Sequence, residues 1–145
     1  MASSKEKHLV TALSKSLKKD ETLLHAAYGV KQPPFWMILL LMCFAILPGI
    51  IAIFFLTKNY VVGLTNKRII ILTVKATAFD EVKSEKSIDL TQLTPDKVKT
   101  KTGMLFTHIT IQDTPKPFKA KFHRAFSESN RPEAIAIAES ISKNQ

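Results

Sequence analysis

The side chains in this sequence that could take part in chemistry are mainly lysines set among aromatic residues. Residues 95–124 carry seven basic and two acidic groups, with Phe118 and Phe122 between them. Near an anionic leaflet each such lysine contributes about 1 kcal/mol before screening. The alternative is a face kept positive for solubility. The candidate contacts in this stretch are Lys97, Lys99, Lys101, Lys116, Lys119, Lys121 and Arg124.

The residue types that catalysis or metal binding would need form no pattern. The four histidines are scattered, and none has a His or Cys partner at metal-ligand spacing. The sequence has no glycine-rich phosphate loop and no nucleophile elbow. Cys43 is the only cysteine, so no disulfide can form within the chain. We therefore predict a non-catalytic protein without a metal or other cofactor.

Length and charge limit the classes of partner. The chain has 145 residues and a formal net charge of +9, and only Arg68, Arg124 and Arg131 are arginines. Lysine acts as a solvated point charge, whereas arginine gives planar, bidentate recognition. This composition favours anionic lipid head groups as the partner and disfavours nucleic acid. The length allows one compact domain and a membrane element.

An uncharged run from Phe35 to Leu56 predicts the membrane element, and we assign residues 34–59 to it. Its 22 residues would form a helix of about 33 Å, close to the hydrocarbon thickness of a bilayer. Trp36 and Tyr60 lie near its two ends, which suits the two membrane interfaces. A buried core helix is disfavoured because a small domain cannot surround a helix that is apolar on all sides.

The run can be one kinked spanning helix or a hairpin. Six lysines precede it and residues 57–76 carry four positive charges, so the positive-inside rule draws both flanks to the cytoplasmic side. A hairpin satisfies this rule, and Pro48 and Gly49 offer either a turn or a kink. We favour the hairpin and expect the rest of the domain on the cytoplasmic side.

The remaining segments predict a mainly β domain with helices. Residues 1–19 read as a basic amphipathic helix that lies on the membrane surface or packs on the domain. Residues 20–33 include a first strand, and residues 60–145 hold about five or six more strands. Residues 75–87 can be a strand or a loop. Asn130 is a candidate N-cap for a last helix over residues 130–142.

The segment "GLTNKRIIIL" at the centre of this order resembles the bacterial pleckstrin-homology-like (PH-like) domains. Leu64 to Ile70 fit a family pattern of Leu-Thr-Asn-or-Asp-Lys-Arg followed by an aliphatic strand. "SLKKDETLLHA" resembles the family's lead-in and "RPEAIAIAESI" its closing helix, so the resemblance covers about residues 16–33 and 60–142. It implies a bent antiparallel sandwich or partial barrel with a C-terminal capping helix. It also adds Lys67 and Arg68, at a strand turn, to the candidate contacts.

These observations lead to two hypotheses about function. The first is a membrane-anchored, non-catalytic PH-like module that binds or docks at the anionic cytoplasmic surface of the membrane. The second is a small assembly subunit of a membrane protein complex that uses the PH-like domain to dock other proteins. The sequence leaves the oligomeric state open.

Overall fold

The computed structural model describes residues 4–112 and 117–143 and has one antiparallel sheet with helices around it. The order of elements follows the sequence expectation, with six strands after the apolar run and a helix at the C-terminus. The helices of the described chain are α1 (Ser4–Ser14), α2 (Phe35–Phe44), α3 (Ile46–Leu56) and α4 (Asn130–Lys143). Its strands are β1 (Leu23–Lys31), β2 (Lys58–Thr65), β3 (Arg68–Lys75), β4 (Ala78–Asp89), β5 (Val98–Thr102), β6 (Phe106–Ile111) and β7 (Phe118–His123).

The β2–β3 hairpin forms where the sequence predicts it. Its strands are rich in valine and isoleucine, which fit a pleated and buried surface. In the turn, the Thr65 hydroxyl oxygen accepts hydrogen bonds from the backbone N–H groups of Lys67 and Arg68, at 3.2 and 3.0 Å. The same hydroxyl donates to the Arg68 carbonyl at 2.9 Å. Thr65 therefore satisfies backbone groups that the tight turn leaves without ladder partners.

The predicted sandwich or partial barrel is wrong, because all seven strands belong to one sheet in the order β4-β3-β2-β1-β7-β6-β5. The strand β1 joins the two halves, since it pairs with β2 along its length and with β7 at Val30 and Lys121. The segment 75–87, which could have been a loop, forms most of the edge strand β4. A sheet that stays continuous through β1 has no separate second layer.

The two faces of the sheet carry different cores. On the inner face, α4 packs Ala134, Ile137 and Ile141 against a cluster that includes the buried Phe122. On the outer face, α1 packs its buried residues against β2 and β3. The N-terminal helix therefore packs on the domain, which was one of its two predicted positions. The outer face of β5, β6 and β7 carries polar and basic side chains instead, together with Phe106.

As a membrane span, the predicted helix or hairpin is also wrong. The uncharged run divides into α2 and α3, of 10 and 11 residues. At about 1.5 Å per residue each is roughly half the hydrocarbon thickness of a bilayer. None of the helices in the described residues is long and apolar enough to cross a membrane. We call α2 and α3 the helix pair.

The break between the two helices falls at Ala45, whose backbone is extended, and not at Pro48 and Gly49. Pro48 lies in the first turn of α3, where its missing N–H group needs no helical partner. Gly49 is buried against α2, and a Cβ atom there would lie 2.7 Å from the Leu41 carbonyl oxygen. The glycine therefore lets the two helices approach closely.

A polar seam lies where β1 and β7 diverge. Asn130, which is 2% exposed, accepts a hydrogen bond from the Tyr28 N–H at 2.7 Å. Its side-chain amide donates to the carbonyl oxygens of Tyr28 and His123 at 3.0 and 2.9 Å. Glu133 accepts from the Ala26 N–H at 3.1 Å. The predicted N-cap Asn130 thus bonds to the two strands and replaces ladder hydrogen bonds that they do not make.

Candidate functional site

The helix pair projects from one end of the sheet, which we call the helix end. Lys31 at the end of β1 is paired directly with Lys58 at the start of β2, so the chain leaves and re-enters the sheet at the same place. The strand pairings put the end of β3 and the starts of β5 and β7 at this same end. Seven lysines lie around it: Lys31, Lys58, Lys75, Lys83, Lys97, Lys99 and Lys119.

Acidic groups at the helix end are few among those that the structure describes. Glu81 forms an ion pair with Lys75. Asp96 precedes Lys97 in a short 3₁₀ turn, and a hydrogen bond from Thr94 lowers the pKa of its carboxyl group. The helix end therefore keeps a net positive field beside an uncharged pair of helices.

The outer face of β5, β6 and β7 continues this basic surface. Residues directly opposite each other on antiparallel strands lie on the same face. His108 is opposite Lys101 on one side and Lys121 on the other. Burial, followed by the charges of Lys121 and Lys101, lowers the pKa of the His108 imidazole. A second row on the same face consists of Lys99, Thr110 and Lys119.

A cavity of about 550 Å³ opens where this face meets the start of α2. One part of its lining, which we call the polar wall, is basic and polar, and another part, the apolar wall, comes from the segment that leads into α2. The polar wall includes Lys31, His108, Thr110, Lys119 and Lys121, and the apolar wall includes Pro33, Pro34 and Phe35.

The turn residues predicted as contacts lie elsewhere. The strand β2 runs away from the helix end, so the β2–β3 turn with Lys67 and Arg68 is at the opposite end of the sheet. The Arg68 side chain is 9% exposed and its Nε and Nη2 atoms donate to the two Glu21 carboxylate oxygens at 2.7 and 3.1 Å. Nη2 also donates to the Ser16 carbonyl at 2.9 Å. Lys67 pairs with Asp20 at the surface.

This buried pair makes stability depend on pH in a defined direction. The hydrogen bond from Arg68 lowers the pKa of Glu21 below its ordinary value of 4.5. The native state therefore binds fewer protons than the unfolded state between the two pKa values, and stability rises with pH there. The contribution is complete above the ordinary pKa and is lost as the pH falls through the lowered one.

We expect Glu21→Gln to lose part of this pH dependence. Urea unfolding at a series of pH values below about 5 should give a shallower fall in the free energy of unfolding than in the wild type. Some dependence of stability on pH should remain in this variant, because the pKa values of Asp20 and Asp96 are also lowered in the native state. An unchanged slope in this variant would contradict the role of the Glu21 carboxylate.

The other predicted residues have varied surroundings. Trp36 is 63% exposed on α2, whereas Tyr60 is half-buried against Phe118 with ring centroids 5.1 Å apart. Burial raises the pKa of Tyr60, and the residue packs against the inner core. Arg124 is exposed in the turn after β7, at the end of that strand that is far from the helix pair. Lys116 lies outside the described residues.

Sequence reasoning missed several residues of the helix end. His108 and Thr110 are not among the predicted contacts, although they alternate in the sequence with the apolar Ile109 and Ile111 and therefore share one face of the strand. Lys31, Lys58 and Lys75 were counted only as flanking charges. Their meeting at one end depends on the pairing of β1 with β2 and β3, which no local pattern shows. Within the described residues, no group of His, Cys, Asp and Glu side chains is arranged to hold a metal ion.

Comparisons with known proteins agree with this architecture. The sequence profile described as "Bacterial PH domain" matches residues 17–139. No curated protein matches the sequence. Among solved structures, the chain is similar to the hSac2 domain from the human phosphoinositide phosphatase Sac2, with a TM-score of 0.50 and 12% identity. That similarity covers 99% of this chain and 84% of the other, and at this identity it concerns the fold alone.

Proposed function

Because the chain belongs to the bacterial PH domain family, we propose that it is a non-catalytic binding module that docks on the anionic cytoplasmic surface of a membrane. In this proposal the helix pair anchors the module by contacting lipid at the boundary between head groups and acyl chains. The lysines of the helix end contact the head groups. Neither helix crosses the bilayer.

The observation that carries this proposal is the apolar surface of the helix pair. Of the 18 exposed large hydrophobic side chains in the described chain, 13 belong to α2 and α3. Gly49 is the one buried residue in the pair. Helices that are apolar on all sides normally lie inside a core or in lipid, and exposed patches of this kind mark interaction sites. An apolar environment outside the domain is therefore required.

The surrounding charge favours lipid over a protein as that environment. A second copy of this chain would bring the lysines of two helix ends together, and like charges in contact oppose association. A leaflet that contains anionic lipid instead offers an apolar interior below a negative surface. The cytoplasmic leaflet has this composition. Protein docking, as in an assembly subunit, is the second candidate because the same helix pair could be covered by a partner.

Membrane docking also sets the orientation of the module. The helix end faces the bilayer, so the β2–β3 turn with Lys67 and Arg68 points away from it. We therefore leave these two residues, and Arg124, out of the proposed contact surface. Trp36 lies in the first turn of α2, five residues after Lys31, and an indole ring suits the interfacial region.

We expect the full-length protein to sediment with phosphatidylcholine vesicles that contain phosphatidylglycerol, and to do so less as the salt concentration rises. Trp36 is the only tryptophan, so a blue shift of its fluorescence would report transfer of α2 into lipid. The variant Phe54→Ser/Phe55→Ser should bind at least about tenfold more weakly, because both exposed rings lose a hydrophobic gain of a few kcal/mol.

The matched control is Met104→Ser/Leu105→Ser, which removes two exposed apolar residues from the turn at the other end of β5 and β6. This control should bind vesicles as the wild type does. Equal losses in both variants, or binding that does not depend on phosphatidylglycerol, would overturn the proposal. A protein that ignores vesicles but forms a defined oligomer in solution, dissociated by the Phe54/Phe55 change, would support protein docking instead.

A further inference from the structure

We propose that the cavity at the start of α2 holds the phosphodiester head group of one anionic phospholipid, with Lys119 and Lys121 as its charge partners and His108 as a hydrogen-bond donor. This inference rests on the proposed membrane docking and names the ligand of that surface. It assigns a discrete site within a basic face that could otherwise act only by diffuse attraction.

The lining of the cavity has the charge and the donors that a phosphodiester needs. Three lysines border it, and its described lining residues include no Asp or Glu. Lys121 and His108 are directly opposite each other across β6 and β7, and Lys119 is opposite Thr110. These two cross-strand pairs therefore bring two ammonium groups, a hydroxyl and an imidazole to one wall. A volume of about 550 Å³ falls within the range of small-molecule sites.

The apolar wall of the cavity explains why the ligand should be a lipid and not free phosphate. Pro33, Pro34 and Phe35 form that wall, and Phe35 begins the helix pair. A head group in the cavity would have its glycerol next to these residues and its acyl chains along the exposed apolar surface of α2. Free phosphate would gain nothing from this wall. The site thus joins the two features on which docking depends, the lysines and the helix pair.

Proton binding to His108 makes the site sensitive to pH. The charged or titratable groups around the imidazole are Lys101 on β5, Lys119, Lys121 and His123 on β7, and Lys31 at the end of β1. Burial, followed by the charges of Lys121 and Lys101, lowers the pKa of the free imidazole and so favours its neutral form near pH 7. A bound anion offsets the lysine charges and raises the pKa of His108. Affinity should therefore increase as the pH falls through the pKa of the complex.

The first measurement uses a short-chain phosphatidylglycerol as a monomer, so that no membrane is required. Its titration into the full-length protein should shift the His108 imidazole resonances and raise the NMR-measured pKa of that ring. A phosphodiester suits this test because it lacks the second ionisation that a phosphate monoester has near pH 6. Inorganic phosphate, as the comparison probe, should bind at least about tenfold more weakly since it lacks the acyl contacts.

The second measurement uses vesicles and matched variants. Lys119→Gln/Lys121→Gln should weaken binding to phosphatidylglycerol vesicles by about tenfold or more, whereas Lys97→Gln/Lys99→Gln should have a clearly smaller effect. Both variants remove two lysines from the same region, but only the first pair lines the cavity. Between about pH 8 and pH 5.5, tightening of binding should be lost in His108→Gln and kept in His8→Gln, since His8 lies on α1.

The outcomes separate this inference from the proposed function. Vesicle binding without a His108 response to the monomeric lipid, or equal losses in the two lysine variants, would overturn the head-group site in the cavity. Either result would leave the proposed membrane docking intact. A His108 response to the lipid without vesicle binding would support the head-group site in the cavity and overturn the proposed membrane docking. Equal affinity for inorganic phosphate would overturn the assignment of the site to a lipid. Circular dichroism of each variant checks that it is folded, and the wild-type titration needs no variant.

Discussion

Arg68→Met should lower the free energy of unfolding by about 3 kcal/mol or more, as removal of one partner of a buried ion pair usually does. The Glu21 side chain is 2% exposed, and its carboxylate receives two hydrogen bonds from the guanidinium. Without Arg68 it would stay buried without its charged partner, and the Ser16 carbonyl would lose a donor as well. Urea unfolding near neutral pH measures the loss, with an unchanged slope as the sign that the native fold persists.

The neighbouring residue supplies the control. Lys67→Met removes an ion pair with Asp20 whose side chains are 51% and 66% exposed, so its effect should be close to nil. The double variant Glu21→Leu/Arg68→Met should recover much of the loss, because it removes the buried charge together with its partner. Equal effects of the Lys67 and Arg68 changes would show that Arg68 does not hold the N-terminal segment on the sheet.

Asn130→Ala should destabilise the protein by about 3 kcal/mol, because it removes the hydrogen bonds that Asn130 makes to three backbone groups at the seam. These groups are the N–H and carbonyl of Tyr28 and the carbonyl of His123. The change should also open the seam locally, so that the Tyr28 amide exchanges its hydrogen faster than amides in the β2–β3 ladder. Urea unfolding and native-state hydrogen exchange measure the two effects.

Asn130→Asp tests the chemistry of the seam at constant size. The carboxylate can still accept from the Tyr28 N–H, but it cannot donate to the two carbonyl oxygens. We therefore expect marked destabilisation with the Tyr28 amide still protected. Fast exchange at Tyr28 in both variants would mean that side-chain shape, and not the separate hydrogen bonds, holds β1 to α4.

The strands could be predicted because their signals are local. Alternation along the sequence places Ile109 and Ile111 on one face of β6, and Phe118 and Phe122 on one face of β7, and all four are buried in the inner core. The hairpin between β2 and β3 follows from two β-branched runs and a short polar turn. The alternation of side chains along a strand depends only on neighbours in sequence, so it can be recognised without knowledge of the rest of the fold.

The role of Arg68 could not be predicted in the same way. In sequence it is a cation in a polar turn, which usually indicates exposure. Its partner Glu21 lies 47 residues earlier, and the two meet only after the N-terminal segment packs beside the β2–β3 turn. The pairing therefore follows from tertiary structure. Arg68, which the sequence predicts as a ligand contact, instead forms an ion pair within the domain.

The break within the apolar run, residues 35–56, could not be predicted for a different reason. Hydropathy is an average over a window, so it does not register a single extended residue such as Ala45. Alanine itself favours helix and gives no sign of a break. Pro48 and Gly49 are common in turns, but proline is also common in the first turn of a helix and glycine also occurs where two helices pack closely. Here the proline marks the first turn of a helix and the glycine marks a close helix contact, and neither marks the turn.

The pairing of Lys31 with Lys58 has a consequence for how this domain can diversify. Two directly paired residues can be joined by a two-residue turn, so the sheet register places no demand on what lies between them. The closure entropy of a loop also grows slowly with its length. Residues 32–57 are thus a replaceable connection between β1 and β2. A short hairpin turn, or a segment of another composition, could take their place without a change in the two strands. What the domain attaches to can therefore change by exchange of one segment, while the sheet and its two cores keep their sequence.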